Sequence, residues 1–118
     1  MLEAVTSNKV YLACGFTDMR KSINGLSNLV QENFNLDPFE KAYFVFCNKG
    51  KNRIKILTWE NDGFWLLLKR LEQGHFKWPA PSEAETLALN YEELIQLLKA
   101  PNLERKIKRK DIFGNKTT

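Results

Sequence analysis

Apolar positions along the chain recur with two different periods, and each change of period marks a new element. Residues Val10-Tyr11-Leu12-Ala13-Cys14 form a short apolar run closed by Gly15, the pattern of a buried strand. Behind it Met19, Ile23, Leu26 and Val30 recur at spacings of four, three and four. That stripe predicts an amphipathic helix over 18–33, with Thr17 or Asp18 as its N-cap. Gly25 lies inside it, which costs helix stability unless another backbone packs close there. Asp37-Pro38 marks the turn out.

A hairpin follows. Residues 42–48 are rich in aromatic and β-branched types, Lys49-Gly50-Lys51-Asn52 supplies the turn, and 53–59 return. Pairing Asn48 with Arg53 sets Val45 opposite Ile56 and Cys47 opposite Ile54. One face is then purely apolar, and the other carries Phe44, Phe46, Arg53, Lys55, Leu57 and Trp59. Asn61-Asp62-Gly63 reads as a break in the sheet and a cap for a helix, in which Phe64, Trp65, Leu67, Leu68 and Leu71 share a face and Gly74 is the C′ residue. Residues 75–78 read as a short strand ended by Pro79 and Pro81. Residues 82–89 are ambiguous, with Thr86-Leu87-Ala88-Leu89 open to a short strand. Asn90 with Glu93 resembles a capping box, and Tyr91, Leu94, Ile95, Leu97 and Leu98 make a last helix stopped by Pro101.

These elements sum to an α+β domain: a small, mainly antiparallel sheet with a central hairpin (about 42–59), packed by about three helices. Residues 1–101 form that single domain, and 102–118 read as a mobile, basic tail. A chain of 118 residues with 43% hydrophobic and 12% aromatic content has ample material for one core. No apolar run approaches membrane-spanning length, and Met1-Leu2-Glu3 starts acidic with no apolar stretch behind it. A cytoplasmic protein without membrane contact is the expectation. Cys14 and Cys47 sit far apart inside expected strands, as reduced, buried small hydrophobes; the sequence leaves a disulfide between them open.

The charge balance, 18 Lys and Arg against 14 Asp and Glu, is only modestly basic, and its distribution says more. Lys49, Lys51, Arg53 and Lys55 recur every second residue, and a second cluster runs from Arg105 to Lys110 as a candidate phosphate-binding arm. Cations beside aromatic rings suit a surface that tracks a nucleic-acid backbone and stacks on bases. Coverage of Phe44, Phe46 and Trp59 by a helix is the equally open alternative. The Gly15-Phe16-Thr17-Asp18 turn leads from strand to expected helix, where backbone amides can bind phosphate. Arg20 and Lys21 just after it are misplaced for a helix dipole, which suits a ligand; a plain cap followed by two solvated cations is the favoured alternative.

Catalytic chemistry finds little support. A metal-dependent nuclease needs clustered carboxylates. Asp18 and Asp62 fall at expected caps and Asp37 in a turn, leaving only Glu60 and Glu72 of those weighed. A hydrolase triad would have to use His75, the one histidine, which has no nucleophile motif nearby. There is no metal-ligand spacing and no glycine-rich phosphate loop. No catalytic residue, metal or cofactor is therefore assigned.

Several blocks together resemble a known family. Val10-Tyr11-Leu12-Ala13-Cys14-Gly15 followed by Thr17-Asp18-Met19-Arg20-Lys21 resembles the hallmark of the small accessory protein TnpB, the second-reading-frame protein of insertion sequence 66 elements. The resemblance runs through Leu36-Asp37-Pro38-Phe39, Phe44-Val45-Phe46, Asn48, Arg53-Ile54-Lys55 and Asp62-Gly63-Phe64-Trp65, and closes with Lys69-Arg70-Leu71-Glu72, Gly74, Phe76 and Trp78-Pro79. It covers about residues 10–80. Phe16 and Ser22 depart from the family's frequent proline and glycine, and the 49–52 turn is less basic than usual. The resemblance implies a non-catalytic accessory role in transposition of a bacterial mobile element, beside a separate transposase. It supplies no catalytic residues to carry over.

The binding residues singled out are Arg20, Lys21, Lys49, Lys51, Arg53, Lys55, Lys69 and Arg70, with Trp59 and Trp65 as aromatic contacts and Gly15, Thr17 and Asp18 as the turn motif. The expected partners are DNA, at the element's ends, and the transposase of the same element; a pure protein adaptor, a homo-oligomer and, behind these, a metal-dependent nuclease remain open.

Overall fold

Strand β2 (Ala42–Cys47) is buried at every position, which places it inside the protein with apolar material on both faces. The computed structural model describes residues 9–99. Around β2 lie β1 (Lys9–Ala13), β3 (Arg53–Glu60), β4 (Gly63–Arg70) and β5 (Thr86–Leu89), in a five-stranded sheet of order β4-β3-β2-β1-β5. β1 and β2 are parallel; the other neighbours are antiparallel. The parallel pair needs a crossover, which α1 (Ile23–Asn28) provides as it continues into a π-helical segment (Leu29–Asn33). A second helix, α2 (Tyr91–Leu98), follows β5.

Strand alternation divides the core in two. On one face Ala42, Phe44, Phe46 and Leu57 pack against Leu26 and Val30 of the crossover. On the other, Val10, Leu12, Tyr43, Val45, Cys47 and Ile54 pack against Phe76, Trp78 and Leu94 of α2. Phe44 and Phe46 are therefore core residues, with Tyr11 stacked on Phe44 at 5.5 Å. The hairpin register is the expected one: Val45 faces Ile56 and Cys47 faces Ile54. The Asn90–Glu93 capping box is present in both directions, and β5 occupies Thr86–Leu89. Both cysteines are free thiols; burial pushes Cys47 up to about 11.

The expected fold class needs correction. The sheet is mixed and five-stranded, and the α-helices among the described residues are α1 and α2, not about three. The helix expected after Asn61-Asp62-Gly63 is strand β4, paired with β3 along its whole length from Arg53↔Arg70 to Glu60↔Gly63. Phe64 to Leu68 satisfies a strand's period as well as a helix's, and the turn decides between them. Asn61 takes φ +57°, and the Asp62 amide bonds back to the Glu60 carbonyl at 2.6 Å, which reverses the chain into a hairpin instead of ending the sheet.

The first helix starts at Ile23 with Ser22 at its N-cap, not near Asp18, because the Thr17 amide is tied to Cys47 and Asp18 to Arg20. Residues 75–78 are not a strand. They run across the sheet as an anchor, with the Trp78 indole donating to the Ala13 carbonyl at 2.9 Å and the Phe76 amide to that of Lys51 at 2.8 Å. The expected basic tail, 102–118, lies outside the described residues. No described helix is long and apolar enough to cross a membrane.

Replacing Phe44 with Ala removes a ring that touches both β1 and the crossover. Urea unfolding should show a loss of about 3–5 kcal/mol, against less than about 1 kcal/mol for Leu87→Ala at an exposed position of β5. Equal effects would contradict the placement of the core.

Candidate nucleic-acid interface

The turn between β2 and β3 is organised by Asn48. Its Oδ1 accepts from the Asn52 and Arg53 amides, each at 3.0 Å, and its Nδ2 donates to Asn52 Oδ1 at 2.7 Å. Lys51 takes φ +61°, a strained value for a side chain of this kind, and its carbonyl is held by the Phe76 amide. The Leu71 amide closes the far side on the Asn52 carbonyl at 2.8 Å. A short turn pinned at so many points presents Lys49, Lys51 and Arg53 from a fixed backbone, with their side chains in solvent.

The loop after β1 packs against the same end of the sheet. Gly15 at φ +75° donates its amide to the Pro79 carbonyl; the backbone conformation favours glycine, and a Cβ there would also lie 3.2 Å from Pro81 Cγ, a tight contact. Thr17 is buried and donates its amide to the Cys47 carbonyl at 2.7 Å, the last residue of β2. This tie carries Phe16 out into solvent, 61% exposed, where its ring receives Lys49 Nζ at 5.7 Å.

Asp18 caps no helix. Its carboxylate accepts from the Arg20 backbone amide at 2.9 Å and from the Arg20 guanidinium at 2.8–3.1 Å. The side-chain hydrogen bonds from Arg20 hold its pKa down at about 2. The amides expected to greet a phosphate at a helix start are thus in a turn before a six-residue helix, with the Arg20 amide already engaged.

The eight candidate cations sort into three groups. Lys55 and Lys69 are structural. Lys55 Nζ donates to the Met19 carbonyl at 2.8 Å and the Lys21 carbonyl at 2.9 Å, clamping the pre-helix loop onto β3. Lys69 Nζ donates to the Leu98 carbonyl at 3.0 Å, satisfying an orphan acceptor at the C-terminus of α2, where a cation also suits the helix dipole. Arg20 and Arg70 are ion-paired, with Asp18 and Glu72, each at 2.8 Å. Lys21, Lys49, Lys51 and Arg53 have no carboxylate partner among the described residues. Lys49, Lys51 and Arg53 sit in or beside the turn at the end of the sheet, with Phe16 against Lys49, whereas the Lys21 stem lies along Gly25 of α1.

The aromatic candidates lie elsewhere. Trp59 is half-buried in a triangle with Phe39 and Phe64, with centroids 5.0–5.4 Å apart. It stands six residues up β3 from Arg53, roughly 20 Å at strand spacing. Trp65, 47% exposed, donates its indole N–H to Glu60 at 2.5 Å on the far edge. Phe16 and Asn48 are the site residues the sequence reading passed over. For Asn48 the available signal was an Asn opening a turn with a second Asn four residues on; for Phe16 no local signal existed.

The carboxylates weighed for metal chemistry are dispersed. Besides the Asp18 and Glu72 pairs, Asp37 accepts from the Phe39 amide and Glu60 from Trp65. No group of three His, Cys, Asp or Glu suited to a metal occurs among the described residues. An open groove of about 940 Å³ between α2, β5 and 75–79 is lined mainly by apolar side chains, including Leu12, Trp78, Leu89 and Leu97.

Comparison with known proteins places these features in context. A family model described as IS66 Orf2-like protein matches residues 8–108. Two uncharacterized proteins of Sinorhizobium fredii are similar: y4hO, 34% identical over 98 residues, spanning 83% of this chain and 84% of its own length; and y4jC, 32% identical over 104 residues, spanning 88% and 87%. No solved structure matches.

If Lys55 is a clamp, Lys55→Met should lower unfolding stability by about 1–2 kcal/mol, since two carbonyls lose a charged donor. The urea midpoint measures this. An unchanged midpoint would show that the lysine is free to serve a ligand instead.

Proposed function

The chain belongs to the family of IS66 Orf2-like proteins, which gives it a transposition-associated accessory role, and from that premise we propose that it is a non-catalytic factor that binds DNA at the ends of its insertion sequence. The observation that carries the proposal is the placement of Lys49, Lys51 and Arg53, exposed and without ion-pair partners among the described residues, in or beside one rigid turn at the end of the sheet.

Phosphate binding needs cations whose charge is not already neutralised and whose position costs little to fix. The Asn48-pinned turn meets the second need and the missing carboxylates the first. The exposed Phe16 ring, already holding Lys49, adds a surface on which a sugar or base can rest. Non-catalysis is supported by the dispersed carboxylates, most of which hold a neighbouring cation, amide or indole. Strand cutting and joining then fall to the partner transposase of the same element, which this protein would assist at the DNA.

Fluorescence anisotropy with duplex DNA from the element's ends, across a salt series, tests the proposal. Affinity should fall steeply with salt. Substituting Gln at Lys49, Lys51 and Arg53 should reduce the log–log slope by about 0.9 for each phosphate contact removed. A flat salt response, or a slope unchanged in the threefold variant, would overturn it.

A further inference from the structure

β4 is the longest unprotected edge of the sheet. It runs eight residues in unbroken register with β3, and among the described residues nothing pairs with its other side. Natural sheets shield such edges with short strands, prolines, bulges or free charges. The opposite edge follows that rule: β5 has four residues and lies just beyond Pro79 and Pro81. β4 has none of these devices. Its two cations are engaged, Lys69 by Leu98 and Arg70 by Glu72, while Leu68 is 62% and Trp65 47% exposed.

The hydrogen-bond phase of β4 fixes what the edge offers. The Leu71 amide bonds to the Asn52 carbonyl, one step beyond the Arg53↔Arg70 pair. Antiparallel pairs alternate between bonded and non-bonded. Gly63, Trp65, Leu67 and Lys69 therefore bond inward to β3, and Phe64, Leu66, Leu68 and Arg70 direct their amides and carbonyls outward.

The edge is also charge-polarised. It starts at Asp62, which has no ion-pair partner among the described residues, and ends at Arg70, whose exposed pair with Glu72 uses only Nε and one Nη of the guanidinium. A strand that is apolar in the middle, acidic at one end and basic at the other complements an antiparallel copy of itself.

We propose that β4 pairs with β4 of a second copy of this chain, antiparallel, with Leu66 opposite Leu66 on the two-fold axis. This register joins outward-facing residues to outward-facing residues. It sets Phe64 against Leu68 and Asp62 against Arg70, each twice by symmetry. On the other face Trp65 lies against Leu67, so the exposed apolar residues of both faces are covered. Sliding by one pair in one direction places Phe64 against Arg70 and Trp65 against Lys69, which loses the charge match. Sliding in the other takes the pairing off the end of β4. The result is an isologous interface that continues two sheets into one. It rests on different residues from the DNA-binding proposal, although Arg53 lies opposite Arg70 in the β3–β4 ladder and so borders one end of this edge.

Sedimentation equilibrium of the full chain tests it. The wild type should show twice the 13.8 kDa chain mass. Leu68→Lys, at an exposed position that leaves the fold intact by circular dichroism, should weaken the dimer by about tenfold or more. Asp62→Arg alone and Arg70→Asp alone should each weaken it, because like charges then meet at both ends. Mixing the two variants should restore a dimer containing one copy of each, whose charge pairs are again opposite. A monomeric wild type would overturn the proposal. So would a dimer indifferent to Leu68→Lys, or a mixture that fails to recover. A monomer that binds the element's transposase through Leu68 would assign the edge to a different partner and overturn it equally.

Discussion

Burial of β2 on both faces constrains everything else in this protein. Phe44 and Phe46 require a cover on one side and Val45 and Cys47 a cover on the other, so the crossover helix must lie on the first face, and the Phe76–Trp78 segment with α2 on the second. With both faces of β2 covered, the strand ends and sheet edges are the parts of the sheet backbone left open to partners. The turn end carries Lys49, Lys51 and Arg53 without ion-pair partners among the described residues, and the β4 edge carries the exposed Trp65 and Leu68. The two surfaces have different chemistry because they arise from different parts of the same sheet.

Cations in this chain do two kinds of work, and composition alone does not separate them. Lys55 and Lys69 lie on strands and reach carbonyls 36 and 29 residues away in sequence. Their stems cross apolar surface while the ammonium groups close loose backbone at its margin. Lys49, Lys51 and Arg53 lie in or beside a turn whose own side chains satisfy its backbone, which leaves their charge to the outside. Arg53 even faces Arg70 across the β3–β4 ladder, a like-charge arrangement that Glu72 relieves from the Arg70 side. A modest net charge of +4 thus understates the positive potential at one end of the molecule.

Local signals were legible in the sequence and long-range ones were not. The hairpin register followed from alternation on either side of the 49–52 turn, and the Asn90–Glu93 box marked α2 without help from the rest of the fold. The stripe of Ile23, Leu26 and Val30 correctly faced the core, but Met19 extended it too far back, because the Asp18–Arg20 turn precedes the helix. β4 failed for a physical reason: Phe64 to Leu68 is apolar without interruption, so both periods fit, and the positive φ at Asn61 that selects the hairpin leaves no unique mark in the sequence. Of the candidate site, the cations of the turn were visible as a repeat. Their sorting into clamps, ion pairs and free charges was not, since it depends on which carbonyl or carboxylate the fold brings near each one. The family resemblance read from residues 10–80 agrees with the family match over 8–108.

The DNA-binding surface proposed for this protein is the turn end of the sheet and not its aromatic face. Backbone-amide NMR titration with a short DNA duplex locates that surface directly. The account predicts that shifts concentrate in residues 16–21 and 48–53, with the amides around Phe39, Trp59 and Phe64 unmoved. Shifts centred on that aromatic triangle, with the turn silent, would contradict it.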